Sequence, residues 1–164
     1  MGADELHKGS RGTTGNGRMK DLLGAWVSSN MDSGERGDGD PLTYAIIGAA
    51  MDVRKALGCG LLESAYHAFL CVGLTKAGLS YISQPILAVE YEGIKVNTGF
   101  RPDLIVNDRV IVEIKAASEL LPVHKAQLLT YMRLAKIETG LLLNFNAVPF
   151  TKGIVRMVLS LIQA

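Results

Sequence analysis

The sequence predicts an α/β fold: a central mixed sheet, begun by a three-stranded meander and flanked by helices, in the order ααβββαββ. Three observations carry this reading. Apolar residues recur at helical spacing between Leu42 and Leu57. Short runs rich in β-branched residues are cut by the turn signals Glu92-Gly93 and Asn107-Asp108. Pro122 then opens another helical stretch, followed by two further apolar runs.

Taken in order, residues 1–40 hold nine of the eighteen glycines among Ser, Thr, Asn and charges in no period. Such a composition buries too little to offset its chain entropy, so a disordered tail is expected. Within it Lys20 to Val27 has the apolarity for one turn, and Met31 offers an alternative start of translation, the preceding segment then being a gene-model extension. Residues 41–164 form the expected domain. Ile46, Ile47, Ala50, Val53 and Leu57 share a helix face, and Gly58 suits the left-handed residue that ends it. A second helix runs from Gly60 to about Ala77 and closes at Gly78. Pro85 to Tyr91 reads as a strand, Glu92-Gly93 as a hairpin turn, Ile94 to Val106 as a second strand interrupted at Gly99, and Val110 to Ala116 as a third. The Pro122 helix reaches about Ile137, and Gly140 to Phe145 and Ile154 to Leu159 supply two more strands. No internal repeat is visible, which removes solenoids and propellers.

A chain of 164 residues and 17.6 kDa removes about 68 to 70% of its extended surface on folding, so its core needs no metal or disulfide staple. Seventeen Lys and Arg against sixteen Asp and Glu give a net charge of +1, too small for a histone-like field. The tail, with five basic and seven acidic residues, carries −2, which leaves +3 on residues 41–164. Any nucleic-acid contact must therefore come from a local patch. No apolar run approaches the roughly 18 residues of a membrane span, and Leu22 to Val27 is too short for a signal peptide, so no membrane partner is expected. Cys59 and Cys71 fit neither a disulfide framework nor a CxxC metal site, which makes a reducing cytoplasm the expected compartment.

The stretch that bears on chemistry is Arg101-Pro102-Asp103-Leu104-Ile105-Val106, a turn, and Val112-Glu113-Ile114-Lys115. Residues i and i+2 of a strand project together, so Glu113 and Lys115 share a face. Alone, they read as an ion pair on a partly solvated strand. Yet Val110, Ile111, Val112 and Ile114 are apolar on both parities, as in a strand covered on both sides, and charges there are costly unless something pairs them.

Pro102-Asp103 followed by Glu113-Ile114-Lys115 resembles the PD-(D/E)xK nuclease signature. Gly60-Leu61-Leu62-Glu63-Ser64-Ala65-Tyr66 resembles the GxxExxY signature of one small bacterial family of that superfamily. The likeness continues through Pro122-Val123-His124-Lys125-Ala126-Gln127-Leu128-Leu129-Thr130-Tyr131 and Gly140 to Phe145, and covers about residues 43–160. The short acidic and lysine pattern recurs by chance; its ordered union with the other two is far more specific. The resemblance implies a restriction-endonuclease-like core that hydrolyses phosphodiester bonds, in DNA first, with Mg²⁺ as cofactor and Mn²⁺ as substitute. It implies nucleic acid as partner and leaves room for a homodimer or a partner protein. The rival reading is a non-catalytic module that keeps the fold to bind nucleic acid or protein. Its mark would be loss of a carboxylate or the lysine, and Asp103, Glu113 and Lys115 are all present.

The resemblance also implies roles. Asp103 and Glu113 would be metal ligands, with the backbone carbonyl of Ile114 as another. Lys115 would stand beside the attacking water or the charged phosphate. Glu63, in the first turn of its helix, would add a third acid, directly or through a water; read alone it is a carboxylate at the positive end of a helix. Gln127 and Tyr131, four apart on one helix, resemble the pair that flanks the site of RecB-like exonucleases and would orient the substrate or the lysine. Arg101, Lys125, Arg133 and Lys136 would supply a local basic patch. His67, His124, Cys59, Cys71 and the ring of Tyr66 read as structural. Leu121 stands where relatives carry a capping residue, so the cap of the Pro122 helix is expected from Ser118, Glu119 or water.

One requirement is geometric. Directly opposite residues of an antiparallel pair share a face and a constant index sum. Asp103 faces Glu113 only if that sum is 216, which pairs Val106 with Val110 and makes Asn107-Asp108-Arg109 a three-residue connection, expected as a type I turn with a left-handed residue and a bulge. A two-residue loop gives 215 and sends Asp103 to the other face unless a bulge near Gly99 or Pro102 restores it, so the expectation is the three-residue connection or such a bulge. The carboxylates should then lie within roughly 4 to 6 Å of each other.

Overall fold

The computed structural model describes residues 40–160; the expected tail and its Met31 start lie outside them, but for Asp40. Asp40 starts the first helix, α1 (Pro41–Leu57), by accepting the Leu42 amide (3.2 Å) and the Thr43 hydroxyl (3.1 Å) on its two carboxylate oxygens. Pro41 fits the first turn because an amide there has no helical partner to lose. Gly58 ends the helix at φ 72°. The second helix, α2 (Glu63–Lys76), begins later than Gly60, which takes φ 96° and belongs to the linking loop.

The strands are β1 (Tyr81–Ser83), β2 (Leu87–Tyr91), β3 (Ile94–Phe100), β4 (Leu104–Val106), β5 (Val110–Lys115), β6 (Thr139–Asn144) and β7 (Ile154–Val158). Helix α3 (Pro122–Ala135) separates β5 from β6, and a single 3₁₀ turn (Phe150–Gly153) leads into β7. The central sheet has five strands in the order β1-β4-β5-β6-β7. It is mixed: β5 and β6 run parallel and the other neighbours antiparallel. A parallel pair needs a long crossover, and α3 is that connection.

The predicted class and central mixed sheet are therefore present, but the meander is divided. Residues 94–106 are not one strand: the chain breaks at Arg101-Pro102-Asp103, so β3 pairs with β2 in a separate two-stranded sheet while β4 pairs with β1. Pro102 has no N–H to give a ladder, which places the break there. Gly99, at φ 81°, sits instead in an irregularity where the register passes from Ala88↔Asn97 to Leu87↔Phe100. The Glu92-Gly93 turn is as expected, with both residues left-handed (φ 49° and 76°), the twist that suits a two-residue hairpin.

Helix α3 covers the sheet face that carries Ile105, Ile111 and Leu142, with Leu128, Tyr131 and Met132 closing the core. It descends closely at Gly140, where a Cβ would stand 2.7 Å from Met132 Sδ and 3.0 Å from Leu128 Cδ1. Alternation turns Val112, Ile114, Leu141 and Leu143, all buried, to the opposite face, where α1 and α2 pack on each other and α2 reaches β5. Among the described residues no helix is long and apolar enough to cross a membrane.

Candidate active site

The β4–β5 register is Leu104↔Val112, Ile105↔Ile111 and Val106↔Val110, each summing to 216. Asp103 therefore faces Glu113 on the side of the sheet covered by α3. The connection is Asn107-Asp108-Arg109, as required, but Asn107 (φ 49°) and Asp108 (φ 56°) are both left-handed, closed by Arg109 N donating to Val106 O (3.0 Å). Asn and Asp tolerate that region best among residues with a side chain. Asn107 is also held from outside: its Oδ1 accepts from Ser80 N and Ser80 Oγ, both at 2.9 Å, and its N donates to Ser80 O (2.9 Å). That anchor replaces the single left-handed residue expected of the turn.

At Asp103 the ladder stops and a side chain takes its place. Ile114 N donates to Asp103 Oδ2 (2.7 Å), and Asp103 N donates to Glu113 Oε2 (3.3 Å). Lys115 O accepts from Phe145 N toward β6 (2.8 Å). By alternation the Ile114 carbonyl turns the other way, where β4 has already ended, and its oxygen faces the same opening as the two carboxylates.

Glu113 is 5% exposed. Its carboxyl is pushed up to about 8, first by burial, then by the Asp103 charge, against the pull of Lys115. Lys115 Nζ lies 3.8 Å from Glu113 Oε1 and donates to Gln127 Oε1 (3.2 Å). Gln127 Nε2 donates to the Tyr131 hydroxyl oxygen (2.9 Å). Burial and the Glu113 charge raise Tyr131 as well, opposed by its bonds to Gln127 and to the backbone of Arg101. One line of contacts thus runs from the strand through Lys115, Gln127 and Tyr131 back to the turn that precedes Asp103. The Gln-x-x-x-Tyr spacing puts both side chains on the helix face above the strand.

Glu63 begins α2 and is exposed, and among the described residues no group of three or more His, Cys, Asp or Glu gathers to hold a metal. Of its two expected forms, a direct third ligand is therefore not gathered with Asp103 and Glu113, which leaves the one that acts through a water. The rest of its motif builds the loop before it. Tyr66, fully buried and stacked on Phe145 at 4.5 Å, donates to Gly58 O (2.7 Å) and accepts from Leu61 N (3.3 Å). Gly60 N donates to Asn146 Oδ1 (2.9 Å).

The α3 cap is also resolved differently from the expectation. Leu121 N donates to His124 Nδ1 (3.0 Å), the half of a capping box that runs from N3 to the N-cap; a leucine offers no acceptor for the other half. Arg101, Lys125, Arg133 and Lys136 are all exposed.

Sequence reasoning missed the residues that hold this end of the sheet in place. Buried Asn144 clamps Ala117 through both main-chain groups (3.0 and 2.9 Å), and Asn146 Nδ2 donates to Ala116 O (2.9 Å). Arg54 of α1 donates to Phe145 O (2.7 Å) and Ala147 O (3.3 Å). The available signal was Asn144 itself, a lone amide closing an apolar strand that would have to be satisfied somewhere.

Two facing carboxylates carry more negative charge than one lysine balances, in a pocket that already penalises it. Oxygen donors in surplus of positive charge suit a hard divalent cation, so Asp103, Glu113 and the Ile114 carbonyl fit such an ion. A sheet flanked by helices, with this cluster where two strands part, defines a nuclease-type core. The sequence model of the PD-(D/E)XK nuclease superfamily matches residues 40–157, and the chain belongs to that superfamily, whose members are generally nucleases that use Mg²⁺ or similar divalent metals. No curated protein and no solved structure matches the chain.

Proposed function

We propose that this protein is a metal-dependent nuclease of the GxxExxY kind, hydrolysing phosphodiester bonds in DNA. The observation that supports it above all is the facing of Asp103 and Glu113 at the parting of β4 and β5, with Lys115 tied to Glu113 and Gln127. Asp103, Glu113 and the Ile114 carbonyl would hold Mg²⁺ or Mn²⁺, which supplies Lewis acidity and an acidified water. The chain's own residues do the rest. Lys115 presents an ammonium to negative charge as it gathers on the phosphate oxygens. Gln127 fixes the direction of that ammonium and is itself fixed by Tyr131. Arg101, Lys125, Arg133 and Lys136 supply the local cationic surface along which the nucleic-acid backbone is held, which the net charge of +1 does not provide. Glu63 would add a third acid to the site through a water, from the first turn of α2. The two free cysteines fit a reducing cytoplasm.

The test is incubation of the full chain with single-stranded, double-stranded and RNA substrates, with Mg²⁺ or Mn²⁺ against EDTA, beside Asp103→Ala. Metal-dependent cleavage of DNA that is lost in the variant is the expected result. Binding of nucleic acid with no cleavage under any metal would give the site to the non-catalytic reading instead.

A further inference from the structure

His67 belongs to no signature, yet it touches the proposed metal cluster from the α2 layer. Its Nε2 lies 3.2 Å from the backbone oxygen of Asp103 and 3.2 Å from Ser83 Oγ. A carbonyl oxygen only accepts, so the bond to Asp103 O is made by the tautomer that carries the proton on Nε2. His67 follows Glu63 by four residues and shares its helix stripe.

Asp103 is the first residue beyond the last β4–β5 rung, Leu104↔Val112, so no ladder bond to β5 fixes its backbone. Its carboxylate reaches Ile114 N, and its amide reaches Glu113. Its carbonyl is held from the opposite side by two donors: Gln84 N (2.9 Å), in the loop after β1, and His67. A rotation of that peptide would swing the carboxylate off Glu113. We propose that His67 is a positioning residue for the metal site: its Nε2–H pins the Asp103 peptide and holds the Glu63-bearing face of α2 against the strand that carries the carboxylate. The proposal rests on the reading of Asp103 and Glu113 as metal ligands.

The test is Mn²⁺ binding to the full chain by calorimetry, with thermal melts, for wild type, His67→Ala, His67→Gln, Ser83→Ala and Asp103→Asn. Residues that orient a metal ligand without touching the metal typically change affinity by about 10- to 100-fold. His67→Ala is expected to weaken Mn²⁺ binding roughly tenfold, while His67→Gln, which keeps an N–H donor at similar reach, and Ser83→Ala stay within about threefold of wild type. A wild-type dissociation constant in His67→Ala with a normal melt overturns the proposal. So does His67→Gln as weak as His67→Ala, since volume rather than the donated proton would then matter. If His67→Ala does not fold, His67→Gln decides alone: near-wild-type binding supports the proposal and tenfold loss overturns it. Weak binding in Asp103→Asn beside normal binding in His67→Ala leaves the nuclease reading standing without the proposal. Equal binding in wild type and Asp103→Asn removes the reading and the proposal together.

Discussion

The hairpins β2–β3 and β4–β5 are built from much the same local grammar, and only the second carries the candidate chemistry. In β2–β3, Tyr91, Ile94 and Val96 are exposed, and every residue of β3 faces solvent to a large degree. In β4–β5, eight of nine strand residues are buried. The first hairpin turns at Glu92-Gly93, and its register shifts at Leu87/Ala88. The second is fixed by burial on both faces and by Ser80 gripping the turn, and its register is even throughout. Register is pinned where a one-residue slip would move a whole buried set, and only such a strand pair can hold two carboxylates opposite each other.

The sharpest break in that contrast is chemical. Asp103→Asn, Glu113→Gln and Lys115→Ala should each lower single-turnover DNA cleavage by about a hundredfold to a thousandfold or more, whereas Tyr91→Ala at the tip of the exposed hairpin should leave it within a few fold. Next comes register. Deleting Asp108 should abolish cleavage and the cooperative melt, because the slip exchanges the two buried faces of one strand relative to the other and takes Asp103 off Glu113; inserting a glycine after Gly93 should leave a cooperative melt in place. Smaller again is packing. Ile111→Ala should cost about 2 to 5 kcal/mol by denaturant titration, and Val96→Ala, half exposed, less than about 1 kcal/mol.

A further effect is on pH. Glu113 holds its proton in the folded state up to about pH 8, while the unfolded chain releases it near 4.5. The proton-linked stabilisation is therefore complete below the lower value and lost as pH rises through the upper one. Without metal the melting temperature should fall between about pH 5 and pH 8, and Glu113→Gln should flatten that slope and melt above wild type at pH 8. A wild-type melt that rises over the same range would show that burial does not penalise this carboxylate.

How far the sequence could be read follows the same divide. The β4–β5 register and its three-residue connection were legible because the resemblance asks Asp103 to face Glu113 and only the pairing that sums to 216 sets them opposite. The split between β3 and β4 was read at Gly99 because glycine punctuates strands, whereas Pro102, lacking an N–H, decides it. Tyr81–Ser83 is too short to show a period, and without β1 the sequence pattern puts all three strands of the meander in one sheet. Contacts such as His67 to Asp103, Asn146 to Ala116 and Arg54 to Phe145 join segments 30 or more residues apart. They are side-chain bonds to backbone groups, which leave no periodic trace in a single chain.

The bond from Ile114 N to Asp103 Oδ2 makes a main-chain amide sense the state of a carboxylate. The Ile114 proton stands within one hydrogen bond of the charge that a cation would neutralise, in a buried strand. Its nuclear resonance is thus a built-in voltmeter for the cluster. Adding Mg²⁺ should move that one amide signal more than those of Val110 or Ile111 further along the same strand, without any label or substrate.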